Sequence, residues 1–235
     1  TDAKVRTLEP LARLTRLRSL DAEYFDGAPG EQWSVLAGLT RLHRLLLKST
    51  ALTDVAFLRS LTELVELDIS GNRDVPQVES LAQLSHLQKL AFSSQSADLD
   101  PLKTLHQLEE LRFFAPARTL EVLRGLTALQ VLDAADTEVT DLTGLETLRK
   151  LRELEVRRAR RLTDISALQQ LVQLEEVSLE SATKLVDASP LAGLTRLETL
   201  DLSFTSVSDL GWVGGLQKLE QINLGFAAVA DLAPL

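Results

Sequence analysis

The chain has 235 residues, of which 45% are hydrophobic and 25% charged, enough apolar material for a large core and too much for a disordered chain. A formal charge of −9 excludes general binding to nucleic acid, which needs a surplus of lysine and arginine on one face. The absence of cysteine removes disulfides, thiolate metal sites and a thiol nucleophile, and no apolar run approaches the roughly 18 to 20 residues of a membrane span, so no membrane association is expected.

A Cys-free chain fits either redox compartment, and the first residues lack the charged-then-apolar order of a signal peptide. Localisation therefore stays open, with the cytoplasm slightly favoured over the cell surface or secretion. The chain starts at Thr1 and contains no methionine, which is the expected appearance of a piece excised from a longer polypeptide carrying further domains.

One motif recurs throughout, with apolar residues at every third position followed by an alternating pair, as in Leu58, Leu61, Leu64, Leu67 and Ile69. The first residue of each pair falls at Leu20, Leu45, Leu67, Leu90, Leu111, Leu132, Leu154, Val177, Leu200 and Ile222, at spacings of 21 to 25 residues. Ten units cover the chain. In the alternating pair both apolar side chains turn inward and the residue between them turns outward, as in a strand. The triplet spacing, seen again in Leu142, Leu145, Leu148 and Leu151, suits a three-residue 3₁₀ turn better than an α-helix. With one strand per unit, the strands must run parallel.

In chain order, the widest spacing comes first, where Asp26-Gly-Ala-Pro-Gly-Glu31 reads as a surface turn inserted after the first strand. The third unit holds the fullest form of the motif, LVELDISGN from Leu64 to Asn72. This resembles the leucine-rich-repeat family, in the short-repeat subclass typified by bacterial internalins and phosphatase regulators. The resemblance implies an α/β solenoid, a right-handed superhelix with one parallel concave sheet of about ten short strands and a convex side of 3₁₀ turns or irregular segments. It departs from the family at the asparagine position, which carries Thr50, Asn72, Gln95, Thr137, Ala182, Thr205 and Ala227 among others, so backbone groups there must find other partners.

On the concave side, the residue between the two strand leucines runs Asp21, Leu46, Asp68, Ala91, Arg112, Asp133, Glu155, Ser178, Asp201 and Asn223. Two further outward columns include Glu23, Lys48, Ser70, Ser93, Phe114, Ala135, Arg157, Glu180, Ser203 and Gly225, and Tyr24, Ser49, Gly71, Ser94, Ala115, Asp136, Arg158, Ser181, Phe204 and Phe226. Small residues at Ser70, Gly71, Ala91, Ser93, Ser94 and Ala115, next to Phe114, are expected to leave a trough for a bulky partner element. In the centre, Arg112 is expected beside Asp133, Asp136 beside Arg158, and Arg157 between Ala135 and Glu180, either as a solvated ladder or as a polar recognition patch. The basic run Arg157 to Arg161 is expected to be neutralised by Glu155, Glu180 and Asp164. Toward the C-terminus, Phe204 and Phe226 fall on adjacent rungs facing outward, either as partner anchors or as a surface covered by following sequence. An eleventh unit opens at Val229.

A carboxylate recurs before the first linker apolar position of seven units, at Asp54, Asp98, Asp141, Asp164, Asp187, Asp209 and Asp231. A metal-binding column is conceivable, but the simpler reading is capping of a backbone N–H at each turn. His43, His86 and His106 fall at different offsets in their repeats, and no HExxH, GxSxG, phosphate loop or GxGxxG is present. Neither enzymatic activity nor a metal or cofactor is expected. The sequence points to a protein partner held by the concave face, through Tyr24, Lys48, Asp68, Arg112, Phe114, Asp133, Asp136, Glu155, Arg157, Arg158, Glu180, Asp201, Phe204 and Phe226. Two alternatives remain at this stage, a substrate-docking arm of an enzyme whose catalytic domain lies elsewhere and a rigid spacer.

Overall fold

Apolar residues three apart lock each repeat into a tight turn. In the computed structural model, which describes residues 7–27, 29–72 and 78–233, Leu58 donates its N–H to the Val55 carbonyl, Leu61 to Leu58 and Leu64 to Leu61, at 2.9–3.1 Å. The same run recurs at Leu102, Leu105 and Leu108. These i→i+3 bonds define a 3₁₀ turn, whose three-residue period stacks every third side chain on one face. That face is the core, since Leu58, Leu61, Leu64, Leu102, Leu105 and Leu108 are fully buried. No α-helix occurs among the described residues.

Two compact units divide after Phe114. The first contains strands β1 (Ser19–Asp21), β2 (Arg44–Leu46), β3 (Glu66–Ile69), β4 (Lys89–Ser93) and β5 (Glu110–Phe114). The second contains β6 (Val131–Ala135), β7 (Glu153–Glu155), β8 (Glu176–Ser178), β9 (Thr199–Asp201) and β10 (Gln221–Asn223). Within each unit, successive strands pair in parallel with the repeats in register, as in Leu45 opposite Leu67 and Leu67 opposite Leu90, or Leu154 opposite Val177 and Val177 opposite Leu200. Alternation puts the leucines inside and the residues between them outside. Leu46 is an exception, buried at 6% exposure although it occupies an outward position.

After most strands the chain turns through a left-handed residue. Tyr24, Ser49 and Gly71 in the first unit, and Asp136, Arg158, Ser181, Phe204 and Phe226 in the second, have φ between 53° and 72°. Only one of these is glycine, at Gly71, where a Cβ would lie 2.3 Å from the Ser49 hydroxyl. Each of the others bears a conformational cost of roughly 1–2 kcal/mol. Ser94 and Ala115, at the same position after β4 and β5, are not left-handed, and both, expected to face outward, are buried.

The aspartate column caps the turns. Asp54, Asp98, Asp141, Asp164, Asp187, Asp209 and Asp231 each accept, at 2.8–3.0 Å, the backbone N–H two residues on. Hydrogen bonds from the side chain and backbone of Thr143 hold the Asp141 carboxyl below its ordinary range, and those of Ser189 do the same for Asp187. The asparagine position works in full only once. Buried Asn72 accepts the N–H groups of Thr50 and Leu52 and donates to the carbonyls of Leu47 and Ile69. Elsewhere Thr205 bonds the Leu202 carbonyl through its hydroxyl, and the Ala182 and Ala227 N–H groups close on Leu179 and Leu224.

The insertion after β1 enters the longest turn segment, Gly30–Gly38, where Gly30 and Trp33 are buried. Asp26, Pro29 and Glu31 of the insertion are exposed, and just beyond it Trp33 packs inward, meeting Phe25 edge-on at 6.1 Å. Ala28 of the insertion and the last two residues of the eleventh unit lie outside the described residues.

Candidate recognition surface

The outward strand positions begin one step earlier than the alternating pair suggests. Arg44, Glu66, Lys89 and Glu110 lie two residues before Leu46, Asp68, Ala91 and Arg112, so they share the outward face. They organise its charges in the first unit. Arg44 reaches Glu66 at 2.9 Å and Asp21 at 3.8 Å, while Lys89 and Arg112 both reach Glu110, at 3.2 and 2.8 Å. Burial pushes the Glu110 carboxyl up, but hydrogen bonds from Arg112 and Lys89 outweigh it and hold the group below the usual carboxylate range. Period-two alternation carried back across the first leucine would have revealed this column.

Tyr24 and Lys48 form a pair on the same face, with the ammonium 5.8 Å from the ring centroid. A hydrogen bond with Tyr24 raises the Lys48 pKa. Next to them the expected trough is present, a cleft of about 540 Å³ lined by Lys48, Ser70, Gly71, Ser93, Ser94, Gln95 and Phe114. Ala91 does not line it and instead borders the charged hollow around Arg44, Asp68 and Lys89. Asp68 accepts the Ser70 N–H at 2.8 Å.

In the second unit the central charges pair within β6 and β7 and the turns after them. Arg158 binds Asp136 at 2.7 Å, as the sequence suggests, and Arg157 binds Asp133 at 3.0 Å and Glu155 at 2.8 Å. Arg161 adds Glu138 at 3.7 Å. The basic run thus pairs with Asp133, Asp136, Glu138 and Glu155 rather than, among the described ion pairs, with Glu180 or Asp164. Glu180 follows Leu179 one strand further on, and Asp164 is engaged with the Ser166 N–H.

Strands β8 to β10 differ. Phe204 and Phe226 stack face to face, with centroids 4.7 Å apart and ring planes 13° from parallel. They are 46% and 83% exposed. Beside them Asp201 accepts hydrogen bonds from the Ser203 N–H and hydroxyl and from the Asn223 amide. Among the described residues, no ion pair engages Glu176, Glu180, Glu198, Asp201 or Glu220. Here acidic side chains stand without ion pairs among the described residues beside a stacked aromatic pair, whereas the exposed Tyr24 of the first unit meets Lys48.

Little on this surface suggests bond-making chemistry. His43 and His86 each contact a backbone carbonyl, of Arg41 and Thr62. Among the described residues, no three acidic, histidine or cysteine side chains converge to hold a metal ion, and no helix is long and apolar enough to cross a membrane.

No family model and no curated sequence matches the chain. Among solved structures, it is similar to an internalin (inlF) from Listeria monocytogenes, at 22% identity and a TM-score of 0.77, over 98% of this chain and 74% of that one. Internalin C2 (inlC2) of the same species is 28% identical, with a TM-score of 0.68, over 76% of this chain and 78% of that one. The Arabidopsis receptor kinase HAESA, solved in complex with the peptide hormone IDA and a co-receptor, is 20% identical with a TM-score of 0.74, over 90% of this chain and 38% of that one.

Proposed function

From a chain that is a leucine-rich-repeat protein in both its repeat and its fold, we propose a protein-recognition module that holds its partner on the outward strand face and carries out no chemistry itself. The whole chain is read as one repeat domain serving as the sensor or scaffold segment of a larger protein. The observation that carries this reading is the Phe204–Phe226 stack. Two phenylalanines occupy left-handed backbone positions, where glycine would fit without strain, and both present their rings to solvent. Strain combined with exposure of large apolar groups gives the isolated fold nothing, and it is the usual condition of an interface anchor.

The remaining contact residues fall into two groups. Lys48, Asp68, Arg112 and Phe114 line the hollows of the first unit with Tyr24 against Lys48, and Asp133, Asp136, Glu155, Arg157, Arg158, Glu180 and Asp201 belong to the outward columns of the second. The HAESA complex, in which a receptor of this fold is seen with a peptide hormone, supports a peptide or protein as the class of partner.

The test compares wild-type bait with an Arg112→Ala/Phe204→Ala/Phe226→Ala variant of equal circular dichroism. We expect recovery of the specific partner to fall roughly tenfold or more, the scale of losing central anchors. Identical recovery from both baits would overturn the assignment of this surface and favour a rigid spacer.

A further inference from the structure

We propose that the slot over Ser181, between the open face of the Phe204 ring and the Glu180 carboxylate, binds one arginine or lysine side chain of an extended partner peptide. The proposal rests on the recognition reading above and names the chemistry of its partner.

The orientation of the rings gives the first argument. Phe204 and Phe226 are one repeat apart, and their centroid separation of 4.7 Å equals the distance between neighbouring strands, about 4.8 Å. The near-parallel rings therefore stack along the direction in which strands succeed one another. One face of Phe204 is covered by Phe226, and the other turns toward the preceding rung. That rung is in register, since the Ser181 N–H donates to the Ser203 carbonyl and the Phe204 N–H to the Gly225 carbonyl, at 2.9 and 2.8 Å. Its residue in the aromatic column is Ser181, too small to cover a phenyl face. One rung further back stands Arg158, whose guanidinium leans the other way to reach Asp136 at 2.7 Å.

The second argument is charge. The face of an aromatic ring is electron-rich and attracts a cation placed within about 6 Å of its centroid. Glu180 adjoins Ser181 in sequence, and its own outward column continues through buried Ser203 and the glycine at 225, so no bulky group separates it from the rings. Asp201 lies two residues before Ser203 on the same face. It receives hydrogen bonds from neutral donors, those of Ser203 and Asn223. Beyond Gln170 the sequence carries nine carboxylates against three cations, Lys184, Arg196 and Lys218. All three cations fall in connecting segments outside β8, β9 and β10. An incoming cation thus meets a π face and two uncompensated carboxylates, whereas an anion is repelled and a neutral ring gains stacking alone. A guanidinium suits this site better than a bare metal ion, because its plane stacks on a ring while its edge donates to a carboxylate.

The experiment titrates the ¹⁵N-labelled full chain with the peptide acetyl-Gly-Arg-Gly-Arg-Gly-amide and, in parallel, with its citrulline counterpart, which has nearly the same shape without the charge. The arginine peptide is expected to shift the amides of Ser181, Phe204 and Phe226 saturably, and the citrulline peptide to bind more weakly. Phe204→Leu, which keeps an apolar side chain but removes the π face, should weaken the arginine peptide roughly two- to five-fold. Glu180→Gln should act in the same direction, and the difference between the peptides should shrink as salt rises to about 0.5 M. Dispersed amide spectra of both variants establish that they are folded. Equal binding of the two peptides, or shifts scattered over acidic positions with no centre at Ser181, would overturn the proposal. If the arginine peptide fails while the Phe204 and Phe226 variants still lose the captured partner, the cation slot falls and the recognition surface stands. If those variants lose nothing and the peptide fails as well, both readings fall.

Discussion

On β1 to β3, Arg44 reaches Asp21 on one side and Glu66 on the other, whereas on β8 to β10 Glu180 and Asp201 form no ion pair among the described residues and two phenyl rings are exposed on the same face. The two regions share the same 3₁₀ turns, the same inward leucines and, at Asp54 as at Asp187 and Asp209, the same capping aspartate. Their difference therefore lies outside the core. In the first region outward charge is compensated within the protein, and in the second the compensation is left for something else to supply.

The largest effect that would sharpen this contrast concerns what holds the first unit together. Asn72→Ala leaves two N–H groups and two carbonyls of the buried turn without their partner, and should lower stability by about 2–4 kcal/mol in chemical denaturation. A loss below about 1 kcal/mol would mean that water replaces the amide there, as backbone closure already does at Ala182 and Ala227. A smaller effect tests the second region. Phe204→Gly relaxes a left-handed residue while removing a ring that contributes nothing to the core, so stability should stay within about 1 kcal/mol of wild type. A loss of about 3–5 kcal/mol, the range for a buried phenylalanine, would show the stack to be structural and break the comparison. The smallest effect is at Arg44. Arg44→Ala should lower stability by no more than about 1 kcal/mol at low ionic strength and by less in high salt, since its carboxylate partners are well exposed.

The repeat was plain in the sequence because its two spacings obey two different periods, and the structure keeps them apart, with Leu58, Leu61 and Leu64 on a 3₁₀ turn and Leu67 with Ile69 on a strand. The aspartate column was equally legible, since Asp at a turn start has one simple use. The outward face was less so. Its alternation was followed forward from the first leucine only, which hid Arg44, Glu66, Lys89 and Glu110 and so the pairing of Arg112 with Glu110. Ser94 and Ala115 are buried where the turn after the strand lacks the left-handed residue, a change of backbone that no single residue announces. The left-handed turn was invisible for the opposite reason. Apart from Gly71 and Asp136, its positions carry Tyr24, Ser49, Arg158, Ser181 and two phenylalanines, residues with no special preference for that conformation.

That left-handed rung separates two kinds of change. Its side chains leave the backbone after the strand has ended and before the next 3₁₀ turn begins, so Ser49, Ser181 and Phe204 are interchangeable in one conformation without disturbing a single leucine. Mutation can rewrite what the surface says while the scaffold beneath drifts under a separate constraint, which makes this column the natural place for related chains to acquire new specificities.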